Sequence, residues 1–189
     1  MLDLALQFLA GELNAHFLGR TGASTVEVKL SALVDDQGKY AFARETVAAA
    51  VLNIEEERHL KSHLPENRYL DGRHLVLEPD LKLNLSVIFA ANFQYYDQAL
   101  KYISLVLGYF QAHPLFTSTE YPGLHPAIGR LTVELQTLSY EQLNQIWAFV
   151  GGKQLPSVVY RVRMLVLQDV PRPATAPPIT TIAAEIRTT

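Results

Sequence analysis

Between Leu81 and His113 the chain changes its period: LKLNLSVIFAA alternates apolar and polar residues in steps of two, and YYDQALKYISLVLGYFQAH then repeats apolar residues in steps of three and four. The first pattern is that of a strand with one buried face, the second that of a helix packed along a stripe. The same order recurs further on, with a strand at Leu131–Leu138, a helix at Ser139–Val150 and a strand from about Ser157 to Gln168. Near the start, Leu2, Leu6, Leu9, Leu13 and Phe17 predict a helix that Gly19 and Gly22 stop. Asp3, Gln7, Glu12, Asn14 and His16 interrupt it and no positively charged region opens it, so it reads as a core helix and not as a signal or membrane segment.

Between these elements, Val26, Val28 and Leu30 alternate with Thr25, Glu27 and Lys29 as in a strand with one wet face, and Asp35-Asp36-Gln37-Gly38 is a turn signal before a short return strand at Tyr40–Phe42. Thr46–Ile54 is apolar on both faces, which predicts a central strand, and it runs into Glu55, Glu56, Glu57 and Arg58. His59–Asp80 has no clear period and carries Pro65, Gly72 and Pro79; it is expected to be a long excursion with one short strand at His74–Leu77. The helix after Leu81–Ala91 is predicted to bury Tyr96, Ala99, Leu100, Ile103, Leu107 and Phe110, to be capped by Asn92 or Asp97, and to close at His113-Pro114 before a loop at Leu115–Pro126. In the next helix Ser139 and Gln142 form a capping box, Leu138 and Leu143 a hydrophobic staple, and Gly151-Gly152 the stop; Leu143, Ile146, Trp147 and Val150 should face inward.

The order of elements predicts an α+β fold: a mostly antiparallel sheet of five or six strands with three helices packed on it, covering one face. Residues 1–169 form this domain, and the Pro-rich residues 170–189 an extended C-terminal arm. Glycine-rich turns after strands, which a doubly wound dinucleotide fold would need, are absent.

Composition adds exclusions. The chain has 189 residues, a net charge of −3 and no cysteine, so it lacks the basic excess of a nucleic-acid binder and any thiolate chemistry. Glu55 and Glu57 share a strand face and could serve acid–base work or hold a cation; His59 and His63 have the spacing of two helical metal ligands but no third partner, and His74 and His125 sit in loops. Arg161 and Arg163 share a strand face and are expected to pair with Glu55 and Glu57, across strands or across a subunit boundary. Trp147 with Tyr95, Tyr96, Tyr102 and Tyr109 could line a ligand pocket, although aromatic residues at helical spacing usually form core or interface. No nucleophile, phosphate-loop, dinucleotide or zinc signature is present, so enzyme activity is not the favoured expectation and no catalytic residue, metal or cofactor is assigned.

DLALQFLAGELN (Asp3–Asn14), VLNIEEER (Val51–Arg58), LNLSVIFAANFQYYDQALKYISLVLGYFQ (Leu83–Gln111), LTVELQTLSYEQLNQIW (Leu131–Trp147) and LPSVVYRVRML (Leu155–Leu165), taken in order, resemble the cap or tail-terminator proteins of phage-tail-like contractile injection systems, of the antifeeding-prophage and virulence-cassette kind. The resemblance implies a ring, expected to be hexameric, on the distal end of the inner tube and sheath, which stops polymerisation and locks the end. It implies contacts with copies of itself and with tube and sheath proteins, with no nucleic acid, small-molecule substrate or cofactor, and a cytoplasmic place within an assembled particle that is either kept in the cell or released. Glu55, Glu56, Glu57, Arg58, Arg161 and Arg163 lie in matched segments and are the expected interface residues; His59–Asp80 is a candidate lumen or sheath contact, and residues 170–189 an arm to an adjacent cap or sheath subunit. The competing readings are a small-molecule-binding module and a metal-dependent hydrolase built on Glu55 and Glu57.

Overall fold

The computed structural model describes residues 1–22, 24–57, 66–70, 73–77 and 81–166. Arg58, His59, His63 and the arm at 170–189 lie outside them. The elements run α1 (Leu2–Thr21), β1 (Glu27–Leu30), β2 (Thr46–Glu56), β3 (Glu66–Leu70), β4 (Arg73–Leu77), β5 (Leu81–Asn92), α2 (Tyr96–Ala112), β6 (Leu115–Thr117), β7 (Ile128–Leu135), α3 (Tyr140–Val150) and β8 (Ser157–Val166). Six strands form one sheet in the order β1-β2-β5-β8-β7-β6, antiparallel throughout except for the parallel pair β1–β2. The fold is thus the expected α+β arrangement with β2 interior. The excursion after Glu57 holds the predicted strand as β4, paired antiparallel with an unpredicted β3 into a hairpin of its own. The expected loop after α2 begins with the short edge strand β6.

Alternation along the strands sorts the core into two layers. Val47, Ala49, Val87, Phe89, Tyr160 and Val162 point to one face, where α1 and α2 cover them with Leu9, Leu13, Phe17, Val106 and Phe110. Phe110 packs edge-on against Tyr160, with ring centroids 4.9 Å apart, and lies 5.5 Å from Phe89. Burial in this layer pushes the Tyr160 hydroxyl up to about 12, so it stays protonated at any physiological pH. The intervening residues Ala48, Ile88, Ala90 and Val159 point the other way, toward Trp147 of α3 and toward Leu33 and Phe42 of the β1–β2 crossover. The helices therefore divide between the two faces, against the expectation of a single covered face. The cause lies in the strands: Ala48, Ala50, Ile88, Ala90 and Val159 are apolar on the second face too, and must be covered.

Local chemistry explains where elements begin and end. Gly22 and Gly151 close α1 and α3 in the left-handed conformation, each donating its N–H back into the last turn. Ser139 accepts from the Gln142 amide at 3.2 Å while the Gln142 side chain accepts from the Ser139 amide at 2.9 Å, the predicted capping box. For α2 the predicted caps fail: the N-cap is Tyr95, with no side-chain bond, because Asn92 still belongs to β5 and donates its amide to the Phe42 carbonyl at 3.2 Å. The buried face of α2 is Ala99, Tyr102, Ile103, Val106, Tyr109 and Phe110, so Tyr96 (70% exposed) and Leu100 (45%) were misplaced. This helix is apolar almost all round, and that leaves the phase of its stripe poorly determined by sequence.

Two features of the sheet matter below. A bulge at Val51–Asn53 shifts the β2–β5 register, putting Leu52 and Asn53 on the same face and carrying Glu55 with them to the α3 side. At the β1 edge, the Asn14 side chain of α1 accepts from the Val28 N–H at 2.6 Å and donates to the Val28 carbonyl at 3.2 Å, satisfying the outward backbone groups of that residue. The predicted return strand at Tyr40–Phe42 shrinks to a single bridge between Val34 and Tyr40, because Asp35 ties its carboxylate to the amides of Gln37 and Lys39 and tightens the turn.

Candidate functional site

The α3 face of the sheet is apolar under the helix and polar beyond it. Past the bulge, Asn53 on β2, Ser86 on β5, Arg161 on β8 and Glu134 on β7 form one transverse row, and Glu55, Asn84, Arg163 and Thr132 form the next. Of the expected interface residues, Glu55, Arg161 and Arg163 therefore share this face, and Glu57 joins them by accepting from the Asn84 amide at 2.9 Å. Glu56 pairs with Leu83 and projects to the opposite face.

Within the subunit the acidic and basic residues do not pair as expected. β5 separates their strands, and two strand spacings come to about 10 Å. Each group has found a nearer partner. The Asn53 amide donates to Glu55 at 2.8 Å, and Arg163 Nη2 donates to Glu134 Oε2 at 3.1 Å with both side chains about half exposed. Turning the Gln136 amide so that its oxygen faces Arg161 lets the guanidinium donate to it from Nη2 at 3.2 Å and from Nε at 3.3 Å. The Asn84 Oδ1 is buried with no partner among the described residues. Asn84, Glu134 and Gln136 are thus members of the cluster that sequence reasoning missed. The signal for Asn84 was available in the polar positions of LKLNLS, which predict a wet stripe beside the arginine-bearing strand.

Alongside this polar patch, α3 stands off the sheet and leaves a groove of about 370 Å³ between its flank and strands β2, β5 and β8. Leu52, Leu138, Ile146 and Val159 line its floor and wall, and Phe149, 92% exposed, stands at its lip. A polar hollow of about 330 Å³ shares Gln136, Leu138 and Gln142 with the groove and ends at Arg161 and Glu134.

The chemistry weighed from sequence finds other uses. Among the described residues no three His, Cys, Asp or Glu side chains stand close enough together to hold a metal ion. His125 accepts from the Ala127 amide at 3.2 Å, and His113 lies 3.0 Å from the Tyr121 hydroxyl. Tyr102 and Tyr109 are buried in the α1–α2 layer, away from Trp147 in the α3 layer, so the aromatic residues do not gather around one pocket. Tyr109 donates to Glu12 at 2.8 Å, and burial, reinforced by that bond, pushes its ionisation well above the ordinary tyrosine value. No helix is long and apolar enough to cross a membrane among the described residues.

What results is an α+β scaffold that offers a polar sheet face and an apolar groove. Residues 5–181 match the family described as the Pvc16 N-terminal domain, and the chain belongs to that family. Among the solved structures that share its fold are these two. One is the PVC sheath/tube terminator of an extracellular contractile injection system in the extended state, matched at 15% identity and a TM-score of 0.64 over 100% of this chain and 64% of that one. The other is the anti-feeding prophage tube-terminating cap, at 14% identity and a TM-score of 0.60 over 93% of this chain and 59% of that one. This chain thus spans about three-fifths of the length of the terminators it matches. No curated protein matches it.

Proposed function

We propose that the chain is the terminator subunit of a contractile injection particle, assembling as a ring, hexameric on this reading, on the distal end of the inner tube and sheath. The observation that carries the reading is the extent of the fold likeness, which takes in 100% of this chain and has a sheath/tube terminator at its other end. Family membership over residues 5–181 points the same way. Physical reasoning agrees: a ring needs heterologous contact faces that close on themselves, and a polymer end needs its last layer covered. On this reading Glu55, Glu57, Arg161 and Arg163 face a neighbouring subunit or the tube, the β3–β4 hairpin reaches the lumen or sheath, residues 170–189 are an arm, and no bond is made or broken. The subunit does its work in the cytoplasm, as part of the assembling particle.

Deleting the gene in a producing strain and imaging the particles tests this. Tubes of uncontrolled length with sheaths that slip or fall away, restored by the gene supplied in trans, are expected. Particles of normal length with firmly attached sheaths would overturn the reading.

A further inference from the structure

One long strand of the sheet is paired over only part of its outer edge. β1 lies beside Thr46–Ala49, so from Ala50 to Glu56 β2 has no strand on that side among the described residues, and Asn53–Glu56 are exposed. Hydrogen bonds fix which backbone groups point outward there. Ser31 donates to the Ala49 carbonyl at 3.3 Å, so Ala49 faces outward, and alternation turns Val51 the same way. Past the bulge, Glu57 donates to the Lys82 carbonyl at 2.9 Å, which turns Glu55 toward β5 and Ile54 outward. The Ile54 N–H is already taken by Asn53 Oδ1 at 2.9 Å. What this edge offers a neighbour is therefore two acceptors, the carbonyls of Val51 and Ile54.

The far edge of the same sheet offers two donors. Val133 donates to the Pro114 carbonyl at 2.9 Å, so Pro114 and Phe116 face β7, and Leu115 and Thr117 face outward. The Thr117 carbonyl accepts from the amides of Glu120 at 3.2 Å and Tyr121 at 2.9 Å, which leaves the N–H groups of Leu115 and Thr117 pointing away from the sheet. Directions agree as well. Four antiparallel steps separate β2 from β6, so the two strands run the same way. Subunits related by rotation about an axis along the strands keep that direction, and β6 of one copy meets β2 of the next in parallel. Charges agree too: β2 carries Glu55 on the α3 face, and opposite Thr117 on that face stands Arg130, exposed and in no ion pair among the described residues.

We infer that β6 of a second copy of this chain adds in parallel to the open half of β2, with the Leu115 N–H on the Val51 carbonyl and the Thr117 N–H on the Ile54 carbonyl. Leu115, 41% exposed in the single subunit, then lies beside Leu52 and Asn53, and Thr117 beside Glu55. Arg130 comes to about 10 Å from Glu55, comparable with the screening length at 0.1 M salt, so opposite charges steer the two edges together. Because the contact joins two different edges it is head-to-tail, and repeated it closes a ring. The inference rests on the ring proposed above and names the contact that closes it.

The chain has no cysteine, and within one subunit β2 and β6 stand four strand spacings apart, about 19 Å, so a disulfide between them can only join two chains. The full chain carrying Asn53→Cys and Leu115→Cys replaces the natural one in a producing strain, and both the purified particles and the concentrated purified subunit are oxidised. A ladder of disulfide-linked chains is expected on the particles. Ile54→Cys in place of Asn53→Cys turns its thiol to the other face, and at least about tenfold less product is expected from it. Subunit present on the particles without a 53–115 disulfide, or equal yields from positions 53 and 54, would overturn the inference and leave the terminator reading standing. Asn53→Cys alone linking as fully as the pair would show β2 meeting β2 and would overturn it too. Should the unaltered subunit be missing from particles, the terminator reading fails, and the purified protein decides: a 53–115 disulfide between chains sustains the contact, and its absence overturns it.

Discussion

Under α1 and α2 the sheet is roofed by large side chains locked ring against ring, whereas the α3 face is apolar beneath Trp147, Leu33 and Phe42 and turns, past the bulge in β2, into asparagine, glutamate and arginine. The first face gathers Phe17, Phe89, Phe110 and Phe116, all almost wholly buried. The second has a smaller buried layer, in which Leu33, Phe42, Ile88 and Trp147 pack on Ala48, Ala90 and Val159, and its helix buries only Trp147 fully. One face therefore supplies most of the stability of the domain, and the other has room for partners. The difference separates residues whose loss should unfold the subunit from residues whose loss should leave it folded and alter what it touches.

The comparison can be broken most forcefully at Phe110. Phe110→Ala removes a ring held among Phe89, Phe116 and Tyr160 and should cost about 3–5 kcal/mol, read as a lower midpoint in chemical denaturation. A loss of under about 1 kcal/mol would show that the α1–α2 layer is looser than its packing suggests. An intermediate effect is expected on the other side: Ser139→Ala takes away the cap of α3 and should cost about 1 kcal/mol, with Ser139→Asp retaining most of the stability. The smallest stability change belongs to the polar face. Arg163→Ala deletes a half-exposed ion pair with Glu134 and should shift stability by no more than about 0.5 kcal/mol. If that face is a contact surface, the same substitution reduces the amount of subunit recovered on purified particles; full recovery would remove Arg163 from the interface.

Much of this architecture was legible from residue order. The switch from period two to period three or four located β5 and α2, and the Ser139–Gln142 box fixed the start of α3 to the residue, because both signals are local. What escaped depended on neighbours distant in sequence. β3 is polar and acquires its identity only by pairing with β4, and β6 is a three-residue edge whose partner lies in β7. The stripe of α2 was rotated because Tyr102, Val106 and Tyr109 are buried by α1 and the sheet together, and the sequence of α2 alone offers apolar residues on several sides. The site shows the same division. Glu55, Arg161 and Arg163 were singled out from the sequence and lie on one sheet face, yet their partners there were not foreseen. Asn84 stands between them through a register that a one-residue bulge sets, and no periodic pattern announces a bulge.

The Asn14 carboxamide has a last consequence. To the outer rim of β1 it imitates a peptide group, offering at Val28 the donor and acceptor that an incoming extended chain would bring. A foreign polypeptide seeking to zip onto that rim would first have to pry α1 loose and so expose Phe17 and Leu13. That flank is thereby guarded against fibrous clumping at the expense of one amide, and Asn14→Ala, harmless to the contour of α1, should reveal the guard as faster precipitation on storage.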